Sequence, residues 1–382
     1  MDFELSDEQR DIQRAAKEFA EGEFPEIARE YDRKEEFPRE LWKKACQLGV
    51  IGLYIKEEYG GPGLGFLEHS MVMEEFWRVD PGCGCILLTV FGSELIQLYG
   101  REEQKKKYLP LLPKGKAIMG TAITEPDAGS DMTSISTTAK KDKDGYVLNG
   151  TKQFITNGSI ADYLVVICVT NPEAESRLRR FSALLVETNR PGFGATKITG
   201  KLGIRASDTA ELNFSDVRVP KENLIGAEEG QGFFQTMQLF NINRVIAAAQ
   251  GVGVAQGSLD KAVKHVKQRK QFGHPIGSFL AVQFQIAEMA TWVEAARALT
   301  YKAGWMIDHE KVDPKLISMA KWLAGEVGVK VANEALQLHG GYGYIADYDI
   351  ERFYRDAKIV EIYEGTKEIE KNTIAREILG KM

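Results

Sequence analysis

The apolar residues of this chain change their period twice, and that change limits the fold more than any other feature. Through residues 1–120 they recur at helical spacing. Ser6 with Gln9 three positions on is a helix-opening signal, and Ile12, Ala15, Ala16, Phe19 and Ala20 follow at period 3.6. Pro38, Leu41, Trp42, Ala45, Cys46 and Leu48 predict another helix, stopped by Gly49. Glu57-Glu58-Tyr59-Gly60-Gly61-Pro62-Gly63 is a break. Further helices are expected over 67–79, 83–99 and 102–112. From 121 to 235 the pattern turns strand-like, with short runs at 136–139, 146–148, 163–169, 182–186 and 210–214. Asp144-Gly145 reads as a hairpin, and Asn149-Gly150, Asn157-Gly158 and Pro191-Gly192 read as breaks between antiparallel strands. No βαβ alternation is present, which excludes a Rossmann sheet. From 236 to 382 long helices return, over 244–269, 279–308 and 313–338, with a last one at 366–379. The expected protein is mainly α with a central β domain: an N-terminal helical domain (1–120), a middle antiparallel β domain (121–235) and a C-terminal helical bundle (236–382).

Composition narrows the function. A chain of 382 residues suggests two or three domains. Its 43% hydrophobic and 27% charged residues are ordinary globular usage. A net charge of −6 argues against nucleic acid as the main partner. No apolar run near 18–20 residues stands out, so no membrane span is expected. The start, MDFELSDEQR, is acidic and amphipathic, without an apolar signal core. A soluble, cytoplasmic protein is expected, a processed mitochondrial matrix form remaining open. The four cysteines (Cys46, Cys83, Cys85, Cys168) are too few for a disulfide framework, and the five histidines form no HxxxH or HExxH pair. No metal site is expected, so redox chemistry would need an organic cofactor.

Four stretches look unlike scaffold. Residues 121–131 pack hydroxyls and backbone donors (Thr124, Gly129, Ser130) into a turn that suits a heterocycle or phosphate, or simply caps a linker. In Lys152-Gln153-Phe154-Ile155-Thr156, alternation puts Phe154 and Thr156 on one face, for stacking and hydrogen bonding to a flavin or for an ordinary strand core. Arg269-Lys270-Gln271-Phe272-Gly273 suits a diphosphate or complements a helix C-terminus, and Gln337-Leu338-His339-Gly340-Gly341 is a similar helix end opening into glycines. Lastly, Glu364 stands beside Ile362 and Tyr363, just before Gly365 and Thr366. Buried, it would have a raised pKa and suit proton abstraction; exposed, it merely precedes a helix cap.

In this order the stretches resemble the FAD-dependent acyl-CoA dehydrogenases. TEPDAGSD (124–131), FITNG (154–158), RKQFG (269–273), QLHGGYGY (337–344), RDAK (355–358) and YEGTKEI (363–369) all match that family's pattern, over essentially the whole chain. The resemblance implies an N-terminal helical domain, a middle β domain and a four-helix bundle, assembled as a homotetramer. It implies FAD, with Ile123, Thr124, Gly129, Ser130, Phe154, Ile155 and Thr156 at the isoalloxazine. Arg269, Gln271, Phe272, Gln337, Gly340 and Gly341 would meet the diphosphate and adenosine of a cofactor shared between subunits, and Thr366 and Glu368 would close the flavin site. Gly251-Val252-Gly253 then reads as close helix packing rather than a nucleotide motif.

By the same resemblance Glu364 would remove the α-proton of an acyl-CoA while the β-carbon gives a hydride to flavin N5, leaving a trans-2-enoyl-CoA. Its backbone N–H and a ribityl hydroxyl would hold the thioester carbonyl. Electrons would pass to an electron-transferring flavoprotein. A minority of the family carries its base just before the arginine that Arg244 matches; here that residue is Asn243, which cannot act as one. Asn241, Asn243, Arg244, Ser130, Tyr363 and Gly365 match substrate-contact positions, although Asn241 departs from the usual Asp. Leu87 and Phe91 would line the acyl pocket. Relatives that accept a dicarboxylic chain such as glutaryl place an Arg in the 83–99 segment; this chain has none there, which disfavours glutaryl-CoA. Gly84, Gly92 and Ser93 suggest room for a short to medium, branched or cyclic acyl group. Three alternatives stay open: an enoyl-CoA reductase running in reverse, an oxidase using O₂, and a non-catalytic CoA-binding tetramer.

Overall fold

In the computed structural model of the chain, residues 4–380 are described. Helices come first: α1 (Asp7–Glu23), α2 (Ala28–Lys34), α3 (Arg39–Leu48), α4 (Phe66–Val79), α5 (Pro81–Gly84), α6 (Ser93–Tyr99) and α7 (Glu102–Tyr108). The Ser6 hydroxyl accepts the Gln9 N–H, and the Gln9 side chain accepts the Ser6 N–H, so the capping box forms as its residues predict. Gly49 ends α3 in the left-handed conformation, at φ +84°.

The 83–99 segment departs from expectation in two ways. Pro81–Tyr99 is in fact long and apolar enough to cross a membrane, yet 72% of it is buried inside the protein. It is also not one helix. α5 runs into a 3₁₀ turn (Cys85–Val90), and the chain breaks at Phe91-Gly92 before α6. Gly92 sits at φ +101°, and a Cβ there would lie 2.1 Å from Thr121 Oγ1, so sheet and helix approach through the missing side chain.

The sheet contains β1 (Met119–Ala122), β2 (Thr138–Asp142), β3 (Gly145–Thr156), β4 (Tyr163–Val169), β5 (Phe181–Glu187), β6 (Phe193–Lys197) and β7 (Thr209–Pro220). Its order is β1-β4-β2-β3-β7-β6, with β5 also on β4. β2 and β3 form the Asp144-Gly145 hairpin, and the β3–β7, β6–β7 and β4–β5 pairs are antiparallel. β1 pairs with β4 in parallel, as does the end of β2, because neither is joined to β4 by a hairpin. Asn149-Gly150 is not a break but a bulge inside β3, and a Cβ at Gly150 would lie 2.5 Å from Thr137 Oγ1, too close to fit. β1 and β6 escape the sequence pattern. β1 is buried at every position and shows no alternation.

The last region holds α8 (Gly232–Gln268), a small hairpin of β8 (Lys270–Gln271) and β9 (His274–Pro275), then α9 (Leu280–Asp308), α10 (Pro314–His339), α11 (Ile350–Ala357) and α12 (Lys367–Leu379). α8 starts well before Arg244, since nothing after Gly232 breaks a helix. Gly251 lies against the Ala324 carbonyl of α10 and Gly253 against the Glu74 carbonyl of α4, which is the close packing expected of that pair. α8 is thereby buried between α4 and α10, and the apolar side chains of both helical regions form one continuous core. The far face of the sheet packs a second core, including Leu148, Ile155, Leu212 and Phe214.

Candidate active site

Glu364 stands in the short connection between a 3₁₀ turn (Lys358–Glu361) and α12. Its backbone is left-handed, at φ +54°, and Gly365 follows at +101°. A non-glycine residue there is strained and must be held by its surroundings. The holding groups come from other elements. Arg244 of α8 donates to the Glu364 carbonyl (3.3 Å), and its Nε lies 2.9 Å from Glu370 Oε1 of α12. Lys321 of α10 donates to the Gly365 carbonyl. A Cβ at Gly365 would sit 2.2 Å from Glu370 Oε1. Thr366 caps α12 by accepting the Ile369 N–H.

Both cations thus engage loop carbonyls or Glu370, and the Glu364 side chain is left to face a cavity. Its Oε2 is shielded from solvent and has no hydrogen-bond partner. Among the described residues nothing accepts from its backbone N–H. The cavity, about 40 Å³, has Leu87, Leu88, Val90, Phe91, Ile246 and Ala247 as apolar walls. Thr156 of β3, Asn243 of α8 and Tyr363 also line it, as do Tyr54, His69, Glu94 and Gln250. Asn243 Nδ2 is buried without a partner, and the Tyr363 hydroxyl donates to Gln250 Oε1.

Burial dominates the electrostatics. It raises the Glu364 carboxyl to about 7, with Lys321 and Arg244 pulling down and Glu94 and Glu370 pushing up. It raises Glu94 to about 7 as well, against the hydrogen bonds that Glu94 receives. Lys321 is lowered to about 8 by burial, opposed by Glu370 and Glu364. His69 is lowered to about 4 by burial and is neutral at pH 7.

The other sequence-derived candidates fall into groups. The carbonyls of Ile123 and Thr124 are clipped to β3, accepting from Lys152 Nζ (2.7 Å) and the Gln153 N–H (2.9 Å). Gly129 and Ser130 lie exposed on the same loop. A register shift between Lys152 and Ile155 puts Phe154 at φ +60° and 64% exposed, so plain alternation fails at this point of β3. Ile155 is buried in the second core and offers a ligand only its backbone. Arg269 stacks over the Tyr342 ring at 5.2 Å; Gln271, Phe272, Gln337, Gly340 and Gly341 are exposed around the same ends of α8 and α10. Glu368 is exposed on the first turn of α12. Leu87, Phe91, Asn243 and Tyr363 line the Glu364 cavity, whereas Asn241 and Ser130 do not. Nor do Gly84, Gly92 and Ser93: Gly84 packs on Trp77, Gly92 on Thr121, and Ser93 donates to the Tyr54 hydroxyl. The room expected from those small residues is used for packing.

Sequence reasoning missed Lys321, Glu370, Glu94, Tyr54, His69 and Gln250. A signal existed for two of them. Lys321 falls on the buried stripe of α10 with Ile317, Ala320 and Ala324, and Glu94 is the single acid in an otherwise apolar segment.

The surfaces fit a flavin dinucleotide. Gln153 Oε1 is buried without a partner beside Thr124, and a Cβ at Gly129, Gly340 or Gly341 would meet nothing within 4 Å. Hydroxyls at Thr124, Ser130 and Thr156 and the Arg269 guanidinium provide donors for a polar heterocycle and a diphosphate.

Comparison with known proteins gives the family. Residues 6–116, 120–217 and 230–379 match the N-terminal, middle and C-terminal domains of acyl-CoA dehydrogenase. The chain is 45% identical to acryloyl-CoA reductase (NADH) of Anaerotignum propionicum, over 100% of this chain and 97% of that one. It is 40% identical to the caffeyl-CoA reductase-Etf complex subunit CarC of Acetobacterium woodii, over 99% and 100%. The structure of butyryl-CoA dehydrogenase from Megasphaera elsdenii superposes with a TM-score of 0.95 at 38% identity, covering 99% of this chain and 100% of that one. This chain belongs to the acyl-CoA dehydrogenase family of FAD-dependent oxidoreductases.

Proposed function

We propose that the protein interconverts a short monocarboxylic acyl-CoA and its trans-2-enoyl-CoA, with Glu364 moving the α-proton. The observation that carries this reading is the Glu364 carboxylate itself: shielded, unpaired, and aimed into a narrow cavity by a strained, clamped backbone. A thioester α-proton is too weakly acidic for an ordinary carboxylate to remove quickly. A base with a pKa near 7 is better matched, and is still ionised in good part at neutral pH. The unused N–H of Glu364 can stabilise negative charge developing on the thioester oxygen. Asn243 keeps a second carboxylate away from that position. FAD, when bound, supplies the two-electron exchange; Thr124, Phe154 and Thr156 would hold its ring, and Arg269 with Gln271 and Gln337 its diphosphate and adenosine.

The cavity supports a short chain. About 40 Å³ accommodates roughly three water-sized groups. No Lys or Arg lines it and His69 is neutral, so a free distal carboxylate such as that of glutaryl would be buried unpaired. An electron-transferring flavoprotein as redox partner is supported by the relative named as part of an Etf complex. A homotetramer is supported by aromatics left exposed near Arg269, among them Phe272 at 91% and Tyr344 at 87%.

The reverse direction is a second reading of the same site. A carboxyl with a pKa near 7 can deliver a proton as readily as take one, and a 45% identical relative carries a reductase name. Anaerobic titration of the holoenzyme with acyl-CoAs, followed at the flavin absorbance, tests the proposal. Bleaching by short saturated acyl-CoAs supports the dehydrogenase direction. Reoxidation of the reduced flavin by enoyl-CoAs alone supports the reductase. A flavin that neither class perturbs refutes both.

A further inference from the structure

Polar groups that the α-proton chemistry does not use also line the acyl cavity. Glu94 is 2% exposed. Its Oε1 accepts the Tyr54 hydroxyl (2.8 Å), and its Oε2 accepts the Gly92 N–H (2.8 Å). No cation lies within ion-pair distance of it among the described residues, so its carboxylate keeps unused acceptor sites. Tyr54 is itself buried, accepts from Ser93 Oγ (3.1 Å), and meets the His69 ring edge-on at 5.2 Å. His69 is 1% exposed, and its Nδ1 has no partner. All three side chains line the cavity that Glu364 faces.

A pocket for a plain alkyl chain gains nothing from this arrangement. An apolar terminus would leave the unpartnered imidazole nitrogen of His69 unsatisfied, which is costly, and the spare acceptor sites of Glu94 unused. A terminus that can hydrogen-bond would satisfy them, and a site built around such a group rejects the analogue lacking it. We propose that Glu94, Tyr54 and His69 form a specificity-determining floor that selects a short acyl-CoA bearing a hydroxyl at its distal end. The inference rests on the reading of Glu364 as the base that faces the same cavity. This cluster accounts for the small residues as well. Ser93 is not there to make space but to hold Tyr54, and the Gly92 N–H is directed onto Glu94.

The test compares 4-hydroxybutyryl-CoA with valeryl-CoA, which puts a methyl where the first has its hydroxyl. Affinities are read by calorimetry on the Glu364→Gln holoenzyme, so that binding is measured without turnover. The hydroxylated chain is expected to bind at least ~10-fold more tightly. Tyr54→Phe, which keeps the ring and its packing, should narrow that ratio, and Glu94→Leu should reverse it. Equal or tighter binding of valeryl-CoA overturns the inference. So does a ratio that both substitutions leave unchanged, because the selection would then arise elsewhere. Should Glu94→Leu fail to fold, the Tyr54→Phe ratio alone decides. If neither thioester binds, and no acyl- or enoyl-CoA perturbs the wild-type flavin, the underlying reading of Glu364 fails and the floor falls with it.

Discussion

Glu125 and Glu364 are the same residue type, both set into the interior, and the protein treats them in opposite ways. Glu125 belongs to the loop before β2. Its carboxylate receives Lys152 Nζ (2.9 Å), the Ser136 N–H and hydroxyl (2.7 Å each) and the Thr137 N–H (2.9 Å). Burial works against its charge, but Lys152 and the donors from Thr137 and Ser136 outweigh that and hold it down at about 2. Glu364 has two cations nearby and bonds to neither through its carboxylate. Arg244 and Lys321 are turned to the carbonyls of Glu364 and Gly365 and to Glu370. Burial then dominates, and the carboxyl rises to about 7. The lesson is that burial by itself does not make a base. Where the neighbouring donors point separates a carboxylate that locks a loop from one that can exchange a proton at neutral pH.

The contrast can be broken most directly at Glu364. Glu364→Gln should still bind acyl-CoA but slow flavin bleaching at least ~10³-fold, about 4 kcal/mol of barrier; stopped-flow absorbance reads it, and near-normal reduction removes Glu364 from the role. Next in size is Lys152→Met. It strands Glu125 without its cation and should cost about 3 kcal/mol of unfolding free energy in urea titrations; a loss within error would mean the loop does not depend on the pair. The third prediction concerns pH. Burial pushes the folded carboxyl of Glu364 up to about 7 from the ordinary 4.5, so its ionisation opposes folding as pH climbs from about 4.5 through 7. Relative to wild type, Glu364→Gln should therefore gain about 3 kcal/mol of stability at pH 8 and nothing at pH 4, and the wild-type kcat/KM should rise through pH ~7 as the base ionises. A stability difference that is flat with pH would contradict the raised value. The smallest effect is at the cap: Thr366→Ala should cost about 1 kcal/mol by removing the Ile369 acceptor at the start of α12.

Much of the fold is legible because it is written locally. The Ser6–Gln9 box, the Gly49 stop and the Asp144-Gly145 turn each depend on a few adjacent residues. The misreadings occur where a distant neighbour overrides local preference. Gly92 breaks the 83–99 helix because Thr121 arrives from β1, and Gly150 bulges rather than ends β3 because Thr137 packs against it. The site divides in the same way. Glu364 stands out through its motif, and Leu87, Phe91, Asn243 and Tyr363 reach its cavity as their positions suggest. Lys321, Glu370, Glu94 and Tyr54 carry no motif: Lys321 and Glu94 are marked only as charges in apolar surroundings, and what all four do appears when α10, α12, α6 and the segment before α4 converge.

The sequence by itself determined the three-part alternation of helix, sheet and helix, the caps and turns, and the residue types a flavin-dependent acyl-CoA enzyme requires, since these depend on period and short-range order. The tertiary structure alone decided what each charged group does. It turned Arg244 and Lys321 away from the carboxylate of Glu364, gave Glu125 a full set of donors, and set Glu94 beside Tyr54 in the lining of the acyl cavity. A carboxylate's character follows from its desolvation and the direction of its nearest donors. Both are supplied by segments far away in the chain, so neither can be read from the residues beside it.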